Sequence, residues 1–136
     1  MSTLEHLSVS GNNFSGQPSK ELRKLSRLKN LILCGNNFSG PLPDVFVNLK
    51  DLEQLVAHSN SLSGPLPSTL AQCLKLEVLD LRNNSMSGLI GLDFTGLQNL
   101  HTLDLASNKF SGALPQTLSS CQELKTVSLA KNGLSG

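Results

Sequence analysis

The sequence has no tryptophan, no tyrosine, five phenylalanines and three cysteines in 136 residues. With so few aromatics, the apolar volume of any core must come from leucine. Three cysteines cannot form the disulfide-dense framework that replaces a core in many small secreted domains. Acids and bases are interspersed and nearly cancel, leaving a net charge of +1. That balance removes the basic footprint of a nucleic-acid binder and of a polybasic membrane binder. No apolar run approaches the roughly 20 residues of a membrane span, and Met1 to Ser10 lacks the basic and apolar regions of a signal peptide. The segment is therefore expected to contact neither nucleic acid nor membrane.

Chemistry-bearing constellations are also sparse. His6, His58 and His101 lie in different parts of the chain without the convergent spacing of a metal site. No phosphate loop, nucleophile elbow or kinase signature occurs, and no nucleophile has a base at a recognisable spacing. The expectation is a protein with no catalytic residues, no metal and no cofactor.

What the sequence does have is a period. Leu4, Leu28, Leu52, Leu76, Leu100 and Leu124 are each 24 residues apart, and the same spacing relates Asn12, Asn36, Asn60, Asn84, Asn108 and Asn132. Each unit opens L-x-x-L-x-L-x-x-N, as in "LEVLDLRNN" and "LHTLDLASN". The final leucine alternation has the period of a strand, so the units predict one short strand each and, because the chain returns in the same direction, parallel neighbours about 4.8 Å apart. The fold class expected is an α/β repeat solenoid of six units over residues 1–136, starting at 4, 28, 52, 76, 100 and 124. The repeated Asn is expected to satisfy backbone groups left without ladder partners. The Gly of each Ser-Gly supplies positive φ at a turn, and all five phenylalanines are expected in the core. Pro18 and Gly91 depart from the proline register of Pro43, Pro67 and Pro115, which predicts two looser rungs.

The segments "NNFSGPLP", "NSLSGPLP" and "NKFSGALP" resemble the plant extracellular leucine-rich repeat, whose consensus continues N-x-L-S-G-x-I-P after the strand. "KLEVLDLRNNSMSG" and "VSLAKNGLSG" are similar to repeats of phytosulfokine receptors, leucine-rich repeat receptor-like kinases. The resemblance implies a horseshoe with a parallel sheet on its concave face, loops and 3-10 turns on the convex face, and a second small sheet alongside. It also implies peptide-hormone recognition by an ectodomain at the outer face of the plasma membrane or secreted, with a co-receptor as partner. The island domain that shares ligand binding in that family has no counterpart here, and neither does its kinase. Three other readings follow from related repeats: an ice-binding or ice-recrystallisation-inhibiting protein, a polygalacturonase-inhibitor-like protein, and an inactive receptor fragment.

In such a solenoid, outward positions 24 apart become neighbours. One predicted row is His6, Asn30, Gln54, Val78, Thr102, Thr126. The next is Ser8, Ile32, Val56, Asp80, Asp104, Ser128, and the third is Ser10, Cys34, His58, Arg82, Ala106, Ala130. A fourth is Gly11, Gly35, Ser59, Asn83, Ser107, Lys131. The candidate ligand-binding residues are Ile32, Gln54, Val56, His58, Val78, Asp80, Arg82 and Asp104. Ile32 with Val56 would floor an apolar subsite, and His58 with Arg82 would receive an anionic group such as a sulfate, unless Asp80 and Asp104 take Arg82 as their own partner. Asn13, Asn37 and Asn83 match the N-x-[ST] acceptor pattern and would carry glycans in a secretory pathway. Cys73 and Cys121 fall two units apart, about 10 Å on the strand spacing, too far to bridge and expected as buried thiols. Cys34 is expected on the concave rim. Apolar residues at both ends, among them Leu7, Val9, Val127 and Leu129, predict end-to-end self-association of this chain.

Overall fold

A computed structural model describes residues 3–135. The leucine alternation produces six three-residue strands, His6–Ser8, Asn30–Ile32, Gln54–Val56, Val78–Asp80, Thr102–Asp104 and Thr126–Ser128, joined in chain order into one parallel sheet. The pairing of His6 with Asn30, Asn30 with Gln54, Gln54 with Val78, and Val78 with Thr102 keeps the 24-residue step of the sequence. A second parallel sheet of six strands runs alongside, from Ser15–Gly16 to Gly133–Leu134. Its register differs: Ser15 faces Asn37 and Ser39 faces Ser61, a step of 22 residues. The second sheet therefore slides two residues per rung relative to the first.

Between the sheets lies one continuous apolar core. Leu28, Leu52, Leu76 and Leu100 are fully buried, as are Phe94 and Phe110, while Phe46 is buried to within 1%. Phe46 and Phe94 occupy the return path where Leu70 sits one unit away, and Leu70 is equally buried. Phe14 differs from the expected core role. Its ring is 50% exposed and stacks on Phe38 at 6.3 Å between centroids. The cause is position: in later units the equivalent side chain is covered by the preceding rung, and Phe14 stands in the first.

The helical component is entirely of the tight 3-10 type among the described residues, at Lys20–Lys24, Phe46–Asn48, Ser68–Gln72 and Gln116–Ser120. Pro67 and Pro115 stand at the N-caps of two of these turns. In the first unit Ser19 does that work by accepting the Glu21 N–H at 3.0 Å, as an N-cap hydroxyl should. The fourth unit, with Gly91, has no 3-10 segment, yet Leu92, Phe94 and Leu97 are at most 1% exposed. Asp93 closes its turn by accepting the Thr95 N–H at 3.0 Å. The fourth rung thus changes its turn and keeps its packing, whereas in the first no residue of Lys20–Lys24 is buried and Leu22 is only partly covered, as a looser rung requires.

The asparagines form the ladder expected of them. Asn60 donates from Nδ2 to the carbonyls of Leu33, Ala57 and His58 at 3.0 to 3.2 Å and accepts the Phe38 N–H at 3.0 Å. Asn84 and Asn108 repeat that pattern one and two rungs on. Each ties together two units whose loop carbonyls would otherwise be buried without donors. The positions placed in a fourth face row, Gly11, Gly35, Ser59, Asn83, Ser107 and Lys131, are instead the left-handed corner where the chain leaves the first sheet, all with φ between 57° and 70°. Glycine fits that conformation freely, and the four non-glycine residues adopt it at a cost.

Candidate functional site

Side chains at the first, third and fifth positions from each strand start project from the open face of the first sheet, while the leucines between them point into the core. Ile32 pairs with Val56, and Val56 with Asp80. All three belong to one row, and Ile32 and Val56 are half-buried. Around Ile32 the face dips into a shallow depression of about 350 Å³ that also involves His6, Ser8, Asn30 and Gln54. Asn30 bonds the imidazole of His6, which fixes the polar edge of this depression. Val78 continues the apolar surface one rung beyond Gln54.

The polar end of the face is organised by Arg82. Its Nη1 lies 2.7 Å from Asp80 Oδ2 and 3.5 Å from Asp104 Oδ2. Asp80 Oδ1 also accepts the Arg82 N–H at 3.3 Å, and Asp104 Oδ1 accepts the Ala106 N–H at 3.1 Å. The Asp80 side chain is 12% exposed, Asp104 17% and Arg82 46%. Burial pushes the Asp80 carboxyl above its ordinary value, a rise opposed by the Arg82 backbone bond and charge and by His58. His58 sits on the neighbouring rung with Nδ1 3.0 Å from Ser59 Oγ. The guanidinium expected to receive an anion is thus already held by two carboxylates.

The face brings the eight predicted ligand-binding residues onto one contiguous surface. Asn13 and Asn37 lie elsewhere, exposed on the flank of the second sheet, and Asn83 is exposed at the corner beside Arg82 with φ 58°. Cys34 is half-buried on the face with Sγ 3.1 Å from Ser10 Oγ. Cys73 and Cys121 are buried and unpaired. The Cys73 thiol donates to the carbonyls of Phe46 and Leu49 at 3.5 and 3.6 Å, and burial pushes its pKa up to about 11. Sequence reasoning missed the border of the face. Glu53 and Glu77, one residue ahead of Gln54 and Val78, flank it at the upstream rim, where Glu77 approaches His101 Nε2 at 3.8 Å. Their position two residues into the repeat was the available signal.

Among the described residues no group of three or more metal-ligating side chains converges, and no helix is long and apolar enough to cross a membrane. Among the described residues of this face, no nucleophile, base and oxyanion donor are assembled.

Leucine-rich repeat models match residues 3–25, 27–49 and 75–134. No curated protein matches by sequence. Among solved structures, the plant peptide hormone receptor RGFR1 in complex with RGF2 is 37% identical with a TM-score of 0.93, over 96% of this chain and 21% of that one. The Arabidopsis receptor kinase HAESA ectodomain, in complex with an N-terminal extended IDA peptide hormone ligand, is 38% identical with a TM-score of 0.91, over 97% and 22%. The chain thus spans about a fifth of the length of those two. The ectodomain of the receptor kinase SOBIR1 from Arabidopsis thaliana is 31% identical with a TM-score of 0.89, over 96% of this chain and 72% of that one. With the repeat register, the asparagine ladder and these likenesses in agreement, the chain belongs to the leucine-rich repeat family.

Proposed function

We propose that this chain is a non-catalytic recognition segment of a plant receptor-type ectodomain, working outside the cell and binding a peptide or protein ligand on the open face of its first sheet. One observation carries the reading. Residues that the repeat leaves free to vary, Ile32, Gln54, Val56, His58, Val78, Asp80, Arg82 and Asp104, form a contiguous patch of mixed apolar and charged character, whereas the repeated residues serve packing and turns. Likeness to receptors solved with peptide hormones supports the same assignment, and a co-receptor would be a second partner of the parent ectodomain.

A sulfated pentapeptide of the phytosulfokine type is the narrower version of this proposal. It would require Arg82 and His58 to take the sulfate, in competition with Asp80 and Asp104, which already hold the guanidinium. The broader reading is tested by titrating the chain with a panel of short extended peptides by calorimetry and repeating the titration with Ile32→Glu and Val56→Glu. Binding that these substitutions abolish supports the face as the site. Binding unaffected by both, or none from any peptide in the panel, overturns it.

A further inference from the structure

Asparagines stand side by side at Asn12 and Asn13, Asn36 and Asn37, and Asn83 and Asn84, and the fold gives the two members of each pair different work. Asn36 donates from Nδ2 to the carbonyls of Val9, Leu33 and Cys34 at 2.8 to 3.3 Å and accepts the Phe14 N–H. Asn84 does the same for Ala57, Leu81 and Arg82, and Asn12 keeps the two bonds its own unit offers. The ladder consumes those amides. Their neighbours Asn13, Asn37 and Asn83 are exposed, with side chains that bond to nothing among the described residues. A serine follows each of them two residues on, at Ser15, Ser39 and Ser85. Asn48 and Asn99 are exposed too, but Leu-Lys and Leu-His follow them, without the hydroxyl. In each pair, then, the N-x-[ST] acceptor pattern falls on the member that the fold leaves free.

The free asparagines stand in two places. Asn37 opens the strand Asn37–Gly40 of the second sheet and pairs with Ser15, so a bulky group on that flank leaves the first sheet clear. Asn83 holds φ 58° at the corner directly after Arg82, whose side chain is 46% exposed. Arg82 is closed from within by Asp80 and Asp104, and a group standing over it displaces no bond that the fold needs. The depression around Ile32 and Gln54 lies toward the other end of the face. From the Ile32 strand to the strand that precedes Arg82 is two rungs, about 9.6 Å at a spacing of about 4.8 Å.

Resting on the assignment of the chain to the outside of the cell, we infer that Asn13, Asn37 and Asn83 each carry an N-linked oligosaccharide, and that the one at Asn83 covers Arg82 and confines a ligand to the Ile32–Val56 end of the first sheet. In the transfer, Nδ2 of the asparagine attacks the anomeric carbon of a lipid-pyrophosphate-linked oligosaccharide. A C–N bond forms as the C–O bond to the pyrophosphate breaks, the lipid pyrophosphate leaves, and the amide gives up one proton. The free asparagines lose no hydrogen bond by this, whereas the same reaction at Asn36 or Asn84 would take a donor from buried carbonyls.

The test secretes the full chain from yeast behind a secretion leader and treats it with a peptide-N-glycosidase, which converts each glycosylated asparagine to aspartate. Peptide mass mapping should find that conversion at Asn13, Asn37 and Asn83 and none at Asn48 or Asn99. Phenylglyoxal, which labels exposed guanidinium groups, should modify Arg82 severalfold more slowly in the glycosylated parent than in Ser85→Ala, with Arg23 and Arg27 as internal references. Asn83→Gln supplies a second chain without that sugar, and circular dichroism shows each variant folded. An unmodified Asn83, sugar missing from Asn13 or Asn37, or Arg82 labelled equally fast with and without its neighbour's sugar would overturn the inference. The recognition reading fails separately, if no peptide binds the Ser85→Ala chain, because the mass map reads the sugars whether or not one does.

Discussion

The first rung and the fifth share the stretch N-x-F-S-G, at Asn12 to Gly16 and Asn108 to Gly112, and its residues carry different loads in the two places. Asn12 donates to the carbonyls of Val9 and Ser10 within its own unit. Asn108 donates to Leu81 in the preceding unit as well as to Leu105 and Ala106, accepts the Met86 N–H, and is only 8% exposed. Phe14 is 50% exposed and Phe110 fully buried. A residue in a solenoid acquires its energetic weight from the rung on either side, since the repeat fixes what it is and the neighbours fix what it touches.

The largest effect that tests this difference is at the phenylalanines. Phe110→Ala should destabilise the chain by about 3–5 kcal/mol, because it removes a filled core volume. Phe14→Ala removes an exposed ring stacked on Phe38 and should cost about 1 kcal/mol. Asn108→Ala strands buried carbonyls and an N–H at about 1–3 kcal/mol for each unsatisfied group, whereas Asn12→Ala leaves groups that water can reach. Urea denaturation of the four variants checks the ordering. Equal losses at the two rungs would show that the chain does not unfold by nearest-neighbour rules.

A smaller effect concerns the corner where the chain leaves the first sheet. Gly11 and Gly35 occupy it in the first two rungs, while Ser107 holds φ 57° in the fifth. A non-glycine L-residue in the left-handed region is disfavoured by roughly 1–2 kcal/mol, partly offset by the greater flexibility glycine brings to the unfolded chain. Ser107→Gly should therefore stabilise by about 0.5–1 kcal/mol, and Asn83→Gly by less, since asparagine tolerates this region. A melting temperature lowered by Ser107→Gly would mean that the serine makes a compensating contact.

Much of this architecture was legible because it repeats. The 24-residue step fixed the strands, the first-sheet register, the inward leucines and the asparagine ladder, and each of those depends on backbone groups that are the same in every unit. The exposure of Phe14 was not legible, because the letters "NNFSG" at Asn12 and at Asn36 are identical and only the preceding rung distinguishes them. The left-handed corner was misread as part of a sheet row because Ser59, Asn83, Ser107 and Lys131 lack the glycine that marks such a turn. For the candidate site, the rows place Asp80, Arg82 and Asp104 together, and of the two alternatives the carboxylates do claim the arginine in the folded chain. How much of Arg82 stays open to a ligand depends on side-chain conformation, which no spacing encodes.

The smallest expected effect separates a buried charge from an exposed one. Asp80 sits in a middle rung with its carboxyl raised by burial, whereas the hydrogen bonds and charges of Lys75 and Lys24 hold the exposed Asp51 and Glu21 below their ordinary values. A carboxyl whose native pKa lies above its unfolded one binds its proton more tightly in the folded state. Its contribution to stability is thus greatest below the unfolded value and is lost as pH rises through the native one. Asp51 and Glu21 act in the opposite sense, losing their contribution as pH falls through their lowered values, and screening keeps it small. Asp80→Asn removes the cost of burying the charge and keeps an oxygen for the Arg82 N–H, while Arg82, 46% exposed, retains Asp104 and water. The variant should be as stable as the parent, or more stable by up to about 1 kcal/mol, at pH 7, with the gap closing as pH falls below the ordinary aspartate range. Denaturation at pH 7 and pH 3 measures it. A clear loss at pH 7 would mean that the ion pair with Arg82 outweighs burial, and that the face depends on Asp80 for rigidity as well as for charge.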